Sequence, residues 1–211
     1  ALACLAAGAD ALIVLNASPY HAGKAPARVA AMQNLQQHCP LPLIYAHMVG
    51  GQDELLFDGC GFALAANGQP LLQTAAFSTD LSYIDLSVLL SAKPAWAAPN
   101  FEAWPSAEAE IWQALVLGVR DYVRKNGFSR VALGLSGGID SAALAVDALG
   151  ADQVHTVMMP SPYTADISWQ DAHELAQRCG IQHDEISIAP TFAAIKASLA
   201  ALFGQRPEDV T

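Results

Sequence analysis

Apolar positions fall in strand-sized and helix-sized groups, and their rhythm changes near the middle of the chain. In residues 1–90, Leu2–Gly8 reads as a short helical stretch, and Ala11–Leu15 is a branched apolar run that predicts a buried strand. The polar loop Asn16–Lys24 leads into a helix near Pro26–His38. Proline early in that helix is tolerated, because its missing N–H would be unpaired there anyway. Leu43–Val49 predicts the next strand, and Gly50-Gly51 predicts a break. Leu55–Phe57, Phe62–Ala66 and Pro70–Phe77 are separated by Asp58-Gly59 and Asn67-Gly68, both favoured turn pairs. A strand–helix–strand unit followed by antiparallel strands is therefore expected.

Residues 91–106 carry three prolines and two tryptophans without helical or alternating periodicity, so an extended linker is predicted. Beyond it, Ser106 is a good N-cap for a helix over Ala107–Lys125, which stops before Asn126-Gly127. Strand Arg130–Leu135, a glycine loop and a helix to Leu149 follow. Strand Val154–Met159, helix Ser168–Cys179, strand Asp184–Ile188 and helix Thr191–Phe203 complete the series. Strands alternating with helices imply a parallel sheet with helices on its faces, and ligands of such sheets sit at the strands' carboxyl ends.

Composition narrows the setting. Hydrophobic residues make up 53% and charged residues 14% of the 211, which excludes disorder through low hydrophobicity. No apolar stretch approaches the roughly 18–20 residues of a membrane span. A net charge of −10 argues against a nucleic-acid-binding surface. Four cysteines without a CxxC pair fit a reduced, cytoplasmic setting. Both ends read as cuts through a longer chain.

The chemistry gathers at Ser136-Gly137-Gly138-Ile139-Asp140-Ser141, on the carboxyl end of the first strand of the second half. Adjacent glycines let backbone N–H groups approach an anion, and the following helix points its positive end there, so phosphate is the natural guest. Ser136 and Ser141 add hydroxyl donors. Asp140 would repel phosphate unless a cation sat between, and Mg²⁺ held jointly by Asp140 and phosphate oxygens removes the conflict. The loop lacks the lysine of a Walker A motif, which suits attack at the α-phosphate with pyrophosphate leaving. The bland alternative is a tightly packed helix-start turn. Five fixed residue types in six positions favour the anion site over it.

Ser-Gly-Gly-Ile-Asp-Ser after a strand resembles the pyrophosphatase loop of ATP-dependent amidotransferases and ligases. Leu115–Gly127, Val146–Gly150 and Met159–Thr164 are similar to the synthetase domain of glutamine-dependent NAD synthetases. Asn16–Tyr20 with Gly23-Lys24, and Val49–Leu55, resemble the nitrilase-type glutaminase domain fused ahead of it. The resemblance covers nearly the whole chain. It implies an α/β fold: the C-terminal part of a nitrilase-like α-β-β-α domain over 1–90, a linker at 91–106, and over 107–211 the N-terminal part of a Rossmann-like parallel-sheet domain of adenine nucleotide alpha-hydrolase type.

The function so implied is ATP-dependent adenylation of deamido-NAD, then amidation with glutamine-derived ammonia. Products are NAD, AMP, pyrophosphate and glutamate, with ATP and Mg²⁺ as cofactors. The family's ATP segment maps onto Gly134, Leu135, Ser136, Gly137, Gly138, Ile139, Asp140 and Ser141, with Asp140 as the Mg²⁺ ligand. Ser18 and Lys24 match positions that contact glutamine. The partners are these small molecules, without nucleic acid or membrane, in a homo-oligomer. The alternatives are another adenylating amidotransferase using the same loop, and a catalytically degenerate nucleotide-binding module.

Departures from the family pattern are specific. The glutaminase Glu-Lys-Cys triad precedes the Asn-Ala-Ser-Pro segment, so it is expected upstream of Ala1. Cys4, in an alanine-rich helical stretch close to Ser18, is rejected as the nucleophile, and the 211-residue chain alone is expected to be inactive. About one helical turn is missing after Ser141, leaving a helix of about ten residues, roughly 15 Å. His47 stands where the family tends to have asparagine, and Gly61 where it tends to have serine. His173, Cys179 and His183 lack zinc spacing and read as ordinary structural residues, as do Cys39 and Cys60. Asp53-Glu54 fits a structural or a catalytic-support role equally, and Pro160–Thr164 equally an adenine border or a plain connection.

Overall fold

Four of the strand-forming runs in the first part pair into a mixed sheet, in a computed structural model that describes residues 1–91 and 105–204. After a short helix, α1 (Leu2–Ala6), strand β1 (Leu12–Asn16) lies parallel to β2 (Leu43–His47) across the crossover helix α2 (Lys24–Gln36). Strands β5 (Phe62–Leu64) and β6 (Pro70–Gln73) extend that sheet antiparallel, in the order β1-β2-β5-β6. Leu12, Cys39, Leu41, Leu43, Tyr45, Phe62 and Leu64 form its core beneath α2. Ala63, Ala65, Leu71 and Leu89, the last on α3 (Leu86–Leu89), form a second cluster. The Asn67-Gly68 turn joins β5 to β6 as expected, with the Gly68 N–H donating to Ala65 O at 2.9 Å.

Several sequence expectations change. Gly50-Gly51 does not end a strand; it lies inside β3 (Val49–Gln52), which pairs antiparallel with β4 (Leu55–Asp58). Asp58-Gly59 is not a hairpin turn, because β4 pairs with β3 and β5 with β2; it passes the chain from one sheet to the other. Ala11–Leu15 is not buried throughout. Leu12 is core, but Ile13 and Leu15 are 72% and 81% exposed, because β1 is an edge strand whose second face is uncovered among the described residues.

The helix predicted over Ala107–Lys125 is α4, with those bounds, and the Ser106 hydroxyl accepts from Ala109 N–H at its start. Its buried residues Glu110, Ala114 and Leu117 repeat at helical spacing. Ala114 and Leu117 pack with Phe77, Val49 and Leu56. Glycine matters most at Gly50, where φ is +134° and a Cβ would stand 3.0 Å from Asp121 Oδ2; a Cβ at Gly51 or Gly118 would meet Gly118 Cα or Leu56 Cδ1 at 3.4 Å, an ordinary contact. The Asp121 carboxylate accepts from Gly51 N–H at 2.8 Å, and Lys125 Nζ donates to Gly51 O. Contacts therefore divide the chain into compact units at Ala1–Asn126 and Gly127–Thr211, with α4 in the first. The linker expected at 91–106 falls largely outside the described residues.

The second unit is a three-stranded parallel sheet, β7 (Val131–Gly134), β8 (Val154–Met158) and β9 (Gln182–Glu185), in that spatial order. Helices α5 (Asp140–Leu149), α6 (Asp166–Cys179) and α7 (Ala189–Phe203) alternate with the strands. The ten-residue α5 buries Ala142, Ala145, Ala148 and Leu149 on one face, so a helix short by a turn still presents a continuous apolar stripe. Strand β9 begins two residues before the expected Asp184. Among the described residues, no helix is long and apolar enough to cross a membrane.

Candidate functional site

In the second unit, β7 and β8 end side by side, and the chain leaves β7 through the glycine loop. Gly134 is the last residue of β7, and a Cβ there would lie 3.5 Å from Met159 Cε. Leu135 is buried, and its N–H donates to Val157 O at 2.9 Å, which anchors the loop's entry on the sheet. Ser136, Gly138, Ile139, Asp140 and Ser141 are all exposed. Ile139 caps α5 without a side-chain hydrogen bond, and Asp140 opens its first turn.

Gly137 has φ +95°, a conformation glycine adopts at little cost, and a Cβ there would meet Ser168 Cα and O at 3.2 Å. Loop backbone thus lies against the first turn of α6 while leading into the first turn of α5. A Cβ at Gly138 would meet open space. Among the described residues, the N–H groups from Ser136 to Ala142 meet no carbonyl or side-chain acceptor, as a helix start that faces an anion requires.

A carboxylate in this position suits a hard cation. Among the described residues no three His, Cys, Asp or Glu side chains gather for a metal, so Asp140 could supply only one protein ligand, with phosphate oxygens and water the remainder. Beyond β8, Met159 is half-exposed, and Ser161 N–H donates to Thr164 Oγ1 at 2.8 Å, closing a compact turn over Pro160–Thr164. Tyr163 packs edge-on against Phe192, with ring centroids 5.7 Å apart. The His173 and His183 rings are 4.8 Å apart, and His183 Nδ1 lies 2.9 Å from Thr156 Oγ1.

In the first unit, Ser18 and Lys24 share the connection between β1 and α2. Ser18 is half-buried, and its backbone N–H donates to His47 Nε2 at 3.2 Å. Lys24 Nζ turns back onto the carbonyl of Pro19, so the ammonium is held within its own loop. Tyr20 N–H donates to Leu56 O at 2.6 Å, and Gly23 N–H donates to the Glu110 carboxylate at 3.1 Å. Burial, followed by the Glu110 charge, pushes the Tyr20 hydroxyl up to about 12. A groove of about 690 Å³ opens beside Tyr20, between the Gln52–Leu56 hairpin end and α4.

Below the loop, Arg28 holds Asp58 through two bonds of 2.9 and 2.7 Å, with both side chains buried. His47 Nδ1 lies 3.7 Å from the same carboxylate. Burial first, and the Arg28 charge second, push the His47 pKa down. Burial, with the Asp58 charge next, pushes the Cys60 thiol up to about 12, so it stays protonated and a poor nucleophile. Cys4 is exposed on α1.

Sequence reading missed Arg28, Asp58 and Glu110. Asp58 was absorbed into a turn pair, and a glutamate in a first helical turn reads as ordinary dipole compensation. A signal existed only for Arg28, the one arginine between Lys24 and Gln36, in a helix otherwise rich in alanine.

Comparison with known proteins gives one consistent picture. Residues 111–209 match the NAD synthase family. The chain is 44% identical over 214 residues to the glutamine-dependent NAD(+) synthetase of Rhodobacter capsulatus, covering 99% of this chain and 38% of that protein. It is 42% identical to that of Acinetobacter baylyi, covering 96% of this chain and 37% of the relative. Among solved structures, the glutamine-dependent NAD+ synthetase of Acinetobacter baumannii in complex with ADP aligns with a TM-score of 0.83. That pair is 40% identical, over 97% of this chain and 39% of that one. The chain thus spans about two fifths of the length of the relatives it matches.

Proposed function

We propose, for a chain whose sequence belongs with the glutamine-dependent NAD synthetases, that it is the central section of an enzyme that amidates deamido-NAD to NAD. In this reading residues 1–90 close a nitrilase-like glutaminase domain, 91–106 are a linker, and 107–211 open a Rossmann-like synthetase domain. The compact units divide later, at Asn126, because α4 packs on β3 and β4. The single observation that carries the reading is the Ser136–Ser141 loop, whose N–H groups meet no acceptor among the described residues and whose Gly137 has φ +95°.

The reaction has two steps. A carboxylate oxygen of deamido-NAD attacks the α-phosphorus of ATP, the bond to the bridging oxygen breaks, and pyrophosphate departs. Ammonia, released when glutamine is hydrolysed to glutamate, then attacks the carboxyl carbon of the adenylate. The carbon–oxygen bond to AMP breaks, nitrogen loses a proton, and the amide remains. Gly137 and Gly138 N–H groups and the Ser136 and Ser141 hydroxyls hold the pyrophosphate as charge grows on it. Gly134 and Leu135 set the loop on the sheet, and Ile139 begins the helix whose positive end faces the phosphates. Asp140 would hold Mg²⁺, which when bound offsets phosphate charge.

Ser18 and Lys24 contact the donor glutamine, and the resemblance also implies a homo-oligomer. Full-length protein supplied with ATP, Mg²⁺ and deamido-NAD should form NAD with glutamine or with ammonium as nitrogen source. Absence of NAD with both would overturn the reading.

A further inference from the structure

Glu110 is one of three buried charged side chains among the described residues, and the other two, Arg28 and Asp58, pair with each other. It is 4% exposed and sits in the first turn of α4. A carboxylate in that position stays charged at low cost only if donors reach it. Gly23 N–H does so at 3.1 Å. Gly23 also precedes α2 with φ +74°, and no side chain of its own caps that helix. The Glu110 carboxylate therefore takes the part that the N3 glutamate plays in a capping box, accepting the N-cap residue's own N–H, from 87 residues further along the chain.

The consequence lies in what Gly23 adjoins. The connection from Asn16 to Lys24 carries both residues assigned to glutamine, Ser18 and Lys24, and it has few anchors. His47 Nε2 holds the Ser18 end, Leu56 O holds Tyr20, and Glu110 holds the Gly23 end next to Lys24. Lys24 is the first residue of α2, so its backbone follows the Gly23 anchor directly. The Tyr20 ring packs edge-on against Phe77 at 5.4 Å, which fixes the middle of the loop against the α4 side. Without Glu110, the Gly23 end would lose its acceptor while the Ser18 end kept its own. The separation between the two residues would then no longer be fixed.

We infer that Glu110 is a positioning residue for the amide donor: its carboxylate, acting through Gly23 N–H, sets Lys24 relative to Ser18, so that use of glutamine depends on α4. The inference rests on the reading of Ser18 and Lys24 as glutamine contacts. It does not require Glu110 to touch substrate.

The test compares two nitrogen sources in the full-length protein. Ammonium bypasses the glutamine loop, so the loop's geometry affects one activity and not the other. Glu110→Ala should raise the KM for glutamine on the order of 10-fold, the cost of one charge-assisted hydrogen bond. Its ammonium-supported NAD formation should stay within about 2-fold of the parent. Glu110→Gln, whose amide oxygen can still accept from Gly23 N–H, should recover most of the glutamine KM. If the alanine variant fails to fold, Glu110→Asp, charged but one methylene shorter, takes its place and should show the same split. An unchanged glutamine KM, or equal loss with glutamine and ammonium, would overturn the inference. Failure of the parent protein with both nitrogen sources would instead overturn the functional reading beneath it.

Discussion

The backbone N–H of Ser18 donates to Nε2 of His47, a side chain buried against the Arg28–Asp58 ion pair. That bond requires the Nε2 lone pair, so the ring proton sits on Nδ1, facing Asp58 Oδ1 at 3.7 Å. Protonation would turn the acceptor into a donor and release Ser18.

The pH dependence follows in sign. The His47 pKa is held below its ordinary 6.5, chiefly by burial, so the folded state binds fewer protons than the unfolded one as pH falls below that value. Stability from this group is intact above about 6.5 and is lost progressively as pH drops towards the folded pKa. An asparagine amide oxygen can accept from Ser18 N–H without titrating. The melting temperature of the parent should therefore fall more steeply between about pH 7 and pH 5 than that of His47→Asn. Parallel curves would remove His47 as the titrating group.

Removing one partner of the buried pair leaves the other uncompensated. Asp58→Ala should cost about 3–5 kcal/mol in denaturant unfolding, since the Arg28 guanidinium would then lie buried without its carboxylate. A loss below about 1 kcal/mol would mean that water or another group takes its place.

Gly61 stands where a Cβ would come within 2.9 Å of Tyr45 O and 3.3 Å of Thr74 Oγ1. The serine typical of the resembling family would force β2 and β5 apart at this point. Gly61→Ser should destabilise the protein by about 1–3 kcal/mol, as overpacking does, measured by thermal or denaturant unfolding. An unchanged midpoint would show that the strands yield freely.

How far the sequence reaches can be seen element by element. Helix α4 has its expected bounds because the Ser106 cap and the apolar spacing both act locally. Strand β3 was hidden because paired glycines read as a break. Only the approach of Gly118 and Asp121, some seventy residues away, makes them useful in a strand. Strand β9 is polar, Gln-His-Asp-Glu, so apolar periodicity pointed two residues too far, to Ile186 and Ile188. The place of the glycine loop, between β7 and α5, was legible because its residues are contiguous. The anchors of the Ser18 loop were not, because His47, Leu56 and Glu110 come from three distant elements.

Gly137→Ala tests the backbone of the loop itself. Positive φ and the 3.2 Å approach to Ser168 both oppose a methyl group there. ATP affinity of the full-length protein should fall at least about 10-fold by calorimetry, equivalent to about 1.4 kcal/mol. Unchanged affinity would separate the loop from nucleotide binding.

Exchange of labelled pyrophosphate into ATP by the full-length protein measures the central claim most directly, because it needs only the loop and the adenylation step. Deamido-NAD should stimulate the exchange in the presence of Mg²⁺, XMP should not, and Asp140→Ala should abolish the stimulation. Exchange that ignores deamido-NAD, or that persists undiminished in Asp140→Ala, would contradict the assignment of this loop to pyrophosphate and magnesium.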